Sequence, residues 1–180
     1  MKGVVLITGI SAAGKSTVAQ ALAERLPRSA HVRGDAFRRM VVNGRAPMTT
    51  EMTGEAVRQL HLRYRLAAHT ADLYFTEGFT AIVQDVILGE DLERFTKWVR
   101  SRPLHVIVLA PDPSAVAERE RRRAKTGYAG SWTIAQLDEV LRGETPRLGL
   151  WLDSSRQTPE ETVEEIISRA GEALIPADRR

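Results

Sequence analysis

Short apolar runs alternate with stripes of helical spacing along the whole chain. Val4 to Ile7 is a continuous apolar run, mostly β-branched, and predicts a strand buried on both faces. Val18, Ala21, Leu22 and Leu26 then recur with helical spacing. Ala30 to Arg33 predicts a second, weaker strand, with a short helix around Phe37, Met40 and Val41. Residues 43–53 carry Asn43-Gly44, Pro47 and several Thr, and predict a loop. Val57, Leu60, Tyr64, Ala67, Ala71 and Tyr74 fall on one stripe of a long helix whose other faces are rich in Arg. Thr80 to Gln84 and Leu104 to Leu109 predict further strands, with a helix marked by Leu92, Phe95 and Val99 between them. Asp112-Pro113 starts another helix with a side-chain cap and a first-turn proline. Thr133 with Gln136 has the form of a capping box ahead of Leu137, Val140 and Leu141. Leu148 to Leu152 predicts a fifth strand, and Thr158-Pro159 opens a last helix carrying Val163, Ile166, Ile167, Ala170 and Leu174 inward.

Five strand–helix alternations predict a doubly wound, mainly parallel α/β sheet. In such sheets ligands sit beyond the carboxyl ends of the strands. Gly9, Asp35, Asp85, Pro111 and Asp153 each follow a predicted strand, so they are expected along one edge of the molecule. At 180 residues the chain fits one domain, expected over 1–175, with a frayed tail at 176–180.

Composition narrows the chemistry. There is no cysteine, which excludes disulfides, thiolate zinc sites and cysteine nucleophiles. No apolar stretch is long enough to span a membrane. The apolar run at the N-terminus is too short for a signal peptide, so the expected compartment is the cytoplasm. The formal charge is +3. Arg119-Glu120-Arg121-Arg122-Arg123 is a basic cluster, but it includes an acid and lacks interleaved aromatics. It fits a solvated helix face or a phosphate-gripping cover better than a nucleic-acid surface.

The strongest chemical signal is Gly9-Ile10-Ser11-Ala12-Ala13-Gly14-Lys15-Ser16, followed by Thr17. It matches G-x-x-x-x-G-K-[ST], and it sits between the first strand and the first helix. The glycines let successive backbone N–H groups curl toward phosphate oxygens. Lys15 supplies a compact charge to the β- and γ-phosphates, Ser16 offers a hydroxyl to Mg²⁺, and the helix start adds its partial positive charge. By residue frequencies such a match arises by chance in on the order of one in a hundred chains of this length.

Phosphoryl transfer also needs an acceptor side. Asp35 follows the second strand and is the candidate general base, although the same position suits a helix N-cap. Arg38, one turn later, is expected to hold an anionic group or the transferring phosphoryl. Asp85, after the third strand, is expected to serve Mg²⁺ through water, beside Ser16, or to bind the acceptor hydroxyl, although the position suits a plain turn residue equally well. Arg119 and Arg123 share a helix face and are expected to close over the nucleotide, as part of a lid at about 113–131 hinged at Lys125 to Tyr128. The four His residues show no metal-ligand spacing, and the three Trp residues suit packing.

These motifs together resemble chloramphenicol phosphotransferase and related small P-loop antibiotic kinases. The resemblance rests on Gly9 to Ser16, Gly34-Asp35, Gln84 to Gly89, Ala115 to Glu120 with Arg123, and Leu152 to Ser155. It implies a nucleoside-monophosphate-kinase-like P-loop fold: a five-stranded parallel sheet with helices on both faces and a helical lid. It also implies ATP as phosphoryl donor, Asp35 as base and a small-molecule hydroxyl as acceptor. Between the second and third strands the chain departs from that family. Arg45, Arg58, Arg63 and Arg65 stand there with few large apolar side chains, which suits an anionic or hydroxyl-rich acceptor better than chloramphenicol. Asp35-Ala36-Phe37-Arg38 is also similar to the D-x-F-[KR] motif of zeta-toxin kinases, which act on nucleotide sugars. A nucleotide-dependent switch with little turnover is the alternative from another class. The residue pattern does not specify an oligomeric state.

Overall fold

The computed structural model describes residues 1–122 and 132–176. Arg123, the expected hinge at Lys125 to Tyr128 and residues 177–180 lie outside the described residues.

Three strands form the centre: β1 (Val4–Gly9), β3 (Thr80–Gln84) and β4 (Leu104–Leu109), each buried at every residue. Continuous β-branched runs suit such strands because helices cover both of their faces. β2 (Ser29–Arg33) and β5 (Leu150–Leu152) flank them in the order β2-β3-β1-β4-β5, with all pairs parallel. On one side α1 (Lys15–Arg25) packs with α7 (Pro159–Ser168), and on the other α3 (Gly54–Thr76) packs with α4 (Glu90–Trp98). The core between these layers includes Leu6, Ile7, Leu22, Ile82, Phe95 and Ile107, all without solvent contact. The short α2 (Gly34–Arg39) leaves β2 at the edge where the other strands also end. α5 (Pro113–Arg121) and α6 (Ile134–Glu139) follow β4.

The expected caps form as side-chain hydrogen bonds. Asp112 accepts from the Ser114 N–H, and Thr133–Gln136 and Thr158–Glu161 close two capping boxes.

Two expectations at the C-terminal end need correction. β5 begins at Leu150 rather than Leu148, because Gly149 has φ +69° and lies against Val106, where an added Cβ would be 2.8 Å from the Val106 Cβ. The last helix stops at Ser168, so Ala170 and Leu174 are not on it. The chain turns back instead, and a sixth strand, β6 (Leu174–Ile175), pairs antiparallel with Leu104 and His105 of β4. The shortness of β5 is the physical reason. β5 pairs only with Ile107 to Leu109 and leaves the first half of β4 with unpaired backbone groups. β6 pairs there, the Ala173 carbonyl accepts from the Val106 N–H at 2.8 Å, and Leu174 is left 45% exposed.

α2 also starts earlier than the apolar pattern suggested, and Met40 and Val41 lie beyond its end. Arg33 occupies its N-cap position without a side-chain bond, so Asp35 is a first-turn residue and not a cap. Among the described residues, no helix is long and apolar enough to cross a membrane.

His31 on β2 has Nδ1 2.9 Å from Gln20 Oε1, while its Nε2 is buried without a partner among the described residues. Burial first, and Arg33 second, push it down to about 4 from an ordinary 6.5. The unfolded chain therefore takes up a proton at higher pH than the native one. The His31 contribution to stability is fully present above pH 6.5 and is lost as the pH falls toward about 4. Buried His105 is shifted in the same direction. His31→Gln should flatten the fall in urea midpoint across that window. A slope equal to the parent's would show that His31 does not carry it.

Candidate active site

The loop from Gly9 to Ser16 is shaped by backbone constraint. Gly9 has φ +143° and lies so close to the Leu109 carbonyl that no Cβ fits there. Gly14 has φ +98°, a conformation that side chains with a Cβ avoid. Ala12 is held at φ +61°, a strained conformation for a residue other than glycine. The Ala13 N–H closes the turn onto the Ile10 carbonyl at 3.2 Å. Lys15 is buried, and its Nζ donates to the same carbonyl at 2.7 Å. The Ser16 hydroxyl donates to Gln84 Oε1 at 2.6 Å.

Above this loop is an open cavity of about 670 Å³. It brings together Ser11 to Thr17, Asp35, Arg38, Asp85 and Arg119 from widely separated parts of the chain. Gly9 and Ile10 are not on its wall. They lie beneath it, Ile10 fully buried, and shape the loop from below. Arg123 lies outside the described residues.

One end of the cavity is built by β2, α2 and α3. Asp35 is part-exposed, and its carboxylate is ion-paired with Arg39 one turn later. Arg38 donates to the Ala46 carbonyl at 3.1 Å. That carbonyl belongs to the loop after α2, which Gln59 of α3 fastens: its Oε1 accepts from the Ala46 N–H at 2.9 Å, and its Nε2 donates to the Gly44 carbonyl at 2.8 Å.

Asp85 is the centre of this end. Arg63 of α3 grips its carboxylate through two hydrogen bonds, the Nε–Oδ2 distance being 2.7 Å, and the Asp85 side chain has no solvent exposure. Gly34 packs directly on the same carboxylate, where a Cβ would collide with it. The structure thus places Asp85 on the cavity wall in an ion pair. Its oxygens are committed to Arg63 and to the Val86 N–H (2.7 Å), and it is Gln84 that reaches Ser16. Burial is also the main cause that lowers the Arg63 pKa. The segment after Asp85 is stitched in place: Tyr64 Oη donates to the Val86 carbonyl at 2.6 Å, and the Thr8 hydroxyl both donates to and accepts from Ile87.

At the other end, Arg119 of α5 donates to the Ala13 carbonyl at 3.2 Å and to the Ser154 carbonyl at 2.5 Å. It thus ties the phosphate loop to the segment after β5. Burial lowers its pKa, and Asp153 opposes that shift. Gln157, Pro159 and Thr162 complete this wall.

Arg39 is a site residue that motif reading passed over, while Gln84 and Arg63 stand in the sequence only as a motif anchor and as one of an Arg-rich segment, without the partners seen here. Gln84 carried a readable signal, since it ends the strand beside β1 and pairs in register with Ile7 just ahead of the loop. Arg63 is visible in the sequence as one of an Arg-rich segment, but its pairing with Asp85 is not, because that partner is 22 residues away.

This strand–loop–helix unit, with Lys15 and Ser16 at the cavity floor, is a P-loop nucleotide-binding fold. A family model described as an AAA domain matches residues 4–146, and the chain belongs to that family. No curated protein matches it in sequence. Among solved structures, the chain is similar to a sugar kinase from a Janibacter species (20% identity, 96% of each chain covered, TM-score 0.68). It is similar to the Deinococcus radiodurans tunicamycin resistance protein (19% identity, 98% of this chain and 100% of the other, TM-score 0.69). It is also similar to the Mycobacterium tuberculosis APS kinase solved with AMPPNP and APS (19% identity, 94% and 98%, TM-score 0.67). At these identities the likeness is one of fold, and the fold is that of P-loop kinases.

Removing Arg63 strands a buried carboxylate, which costs about 3–5 kcal/mol for pairs of this kind. Arg63→Met should lower the unfolding free energy on that scale in urea denaturation. The Arg63→Met/Asp85→Asn double variant should lose less than the two single losses added together. Strict additivity would mean that the pair is not coupled.

Proposed function

We propose that this protein is an ATP-dependent kinase that transfers the γ-phosphoryl group to a hydroxyl of a small molecule. The observation that carries the reading is one cavity holding a phosphate loop at its floor and a carboxylate, Asp35, on a separate wall. Likeness in fold to a sugar kinase, to an APS kinase solved with AMPPNP and to a tunicamycin resistance protein supports it. The last of these, with the resemblance to chloramphenicol phosphotransferase, supports an antibiotic among the acceptors to be tried. The D-x-F-[KR] form of Asp35 to Arg38 supports a nucleotide sugar.

The backbone N–H groups of residues 11–16 cradle the phosphates, and Lys15 neutralises charge that develops on the β–γ bridge. Ser16 and Gln84 present two neutral oxygens side by side at the floor, a donor set suited to Mg²⁺, which takes few protein ligands beside phosphate and water. Those two residues would hold the ion, which supplies charge neutralisation on the phosphates when bound. Asp35 orients the acceptor hydroxyl and takes its proton as the new O–P bond forms. The bond from the γ-phosphorus to the bridging oxygen breaks, and ADP leaves. Arg39 holds the Asp35 carboxylate in place, and Arg119 anchors the nucleotide end by joining the loop to the segment after β5.

With γ-labelled ATP, Mg²⁺ and a panel of antibiotics, sugars, sugar acids and nucleotide sugars, label should move to an acceptor. Lys15→Ala should cut kcat/KM by roughly 10²–10³-fold, and Asp35→Ala by roughly 10²–10⁴-fold. Transfer at parental rate by Asp35→Ala would remove that residue from the base role. ATP binding with no phosphorylated product from any acceptor would favour a nucleotide-dependent switch.

A further inference from the structure

At the acceptor end the charges do not balance. Three guanidinium groups, those of Arg38, Arg39 and Arg63, share one cavity wall with two carboxylates, Asp35 and Asp85. Both carboxylates are taken: Arg63 holds Asp85, and Arg39 holds Asp35. Arg38 is left over. Its one hydrogen bond among the described residues goes to a neutral carbonyl, Ala46, and it makes no ion pair there.

Arg38 is also crowded by like charge. After burial, the neighbouring Arg45 is the cause that lowers its pKa, and Arg38 and Arg39 both act against the charge on Arg63. A concave wall that gathers guanidinium groups in excess of its carboxylates repels itself until an anion enters. The nucleotide has its own answer elsewhere, in Lys15, the loop N–H groups and Arg119, so its phosphates do not account for the excess. A guanidinium fork with donors to spare matches a carboxylate or phosphate bidentately. Arg38 is positioned for this, because its anchor at Ala46 is fastened to α3 through Gln59.

We propose that the phosphate acceptor is a hydroxylated anion, carrying a carboxylate or a phosphate beside the hydroxyl that is phosphorylated, and that Arg38 recognises this anionic group. The proposal rests on the kinase reading for the word acceptor, but the anion subsite can be tested without any transfer.

The full chain is first loaded with AMPPNP and Mg²⁺, which fills the nucleotide end and allows no turnover. Calorimetry then compares matched probes: gluconate against glucitol, glucose 6-phosphate against glucose, and UDP-glucose as the nucleotide-sugar arm. The charged member of a pair should bind at least about tenfold tighter than its neutral partner, since hydrogen bonds to charged groups are the stronger kind. Whether gluconate or one of the phosphates binds best identifies which anion the subsite takes. Arg38→Gln should erase most of the preference and keep AMPPNP binding, which shows that the variant is folded. Arg121→Gln, a change to an exposed residue of α5 paired with Glu118, should leave the preference intact.

Neutral and charged probes binding equally would overturn the proposal. So would a preference that survives Arg38→Gln, or anions that bind only by displacing AMPPNP, or no binding by any charged probe. Anion binding on the loaded protein with no product from ATP would instead remove the kinase reading and leave the subsite standing.

Discussion

The pairing of Arg63 with Asp85 ties together β3, α3 and the start of α2 at the proposed acceptor end. Asp85 follows β3, Arg63 projects from α3, and Gly34 starts α2 on the same carboxylate. A buried ion pair of this kind does little to stabilise a fold outright, because desolvation offsets most of the attraction. It does fix geometry, since the two-bond grip of Arg63 and the Val86 N–H together hold the Asp85 carboxylate in one orientation. α2 can leave β2 only along a path that clears the Asp85 oxygens, and that path requires a residue without a Cβ at position 34. Asp35 is the next residue, so the placement of the proposed base follows from a contact that it does not itself make.

The phosphate loop is held by a constraint of a different kind. Its shape comes from backbone crowding between β1 and β4, with Gly9 lying against the Leu109 carbonyl and Ala12 kept in a left-handed conformation. The two ends of the cavity meet at the end of β3. Successive side chains there point to opposite sides. Gln84 turns to Ser16 of the loop, and Asp85 turns to Arg63 of α3. One residue of offset thus divides the neutral donor set, suited to a metal, from the ion pair that frames the acceptor wall.

Much of this was legible in the chain itself. Buried parallel strands appeared as short apolar runs rich in β-branched residues, because both faces of each are covered by helices. Helix starts appeared at Asp112, Thr133 and Thr158 because a cap satisfies backbone N–H groups locally, within three residues. The C-terminal end was misread for the converse reason. β6 exists because β5 is too short to pair the whole of β4, and that is a property of a neighbouring strand rather than of residues 174 and 175. The pairing of Asp85 was illegible for the same reason. An acid after a buried strand suggests a metal ligand, and the arginine paired with it stands 22 residues away on another element.

The sequence by itself determined the P-loop, the alternation of strands and helices, and the edge where Gly9, Asp35 and Asp85 gather. Each of these depends on local spacing or on one-dimensional periodicity, which a chain carries without folding. Only the tertiary structure decided how the charges at that edge are shared out. Arg39 goes to Asp35, Arg63 goes to Asp85, and Arg38 is left without an acid among the described residues. An arginine's partner depends on which side chains packing brings within about 3 Å, and spacing along the chain does not encode that distance.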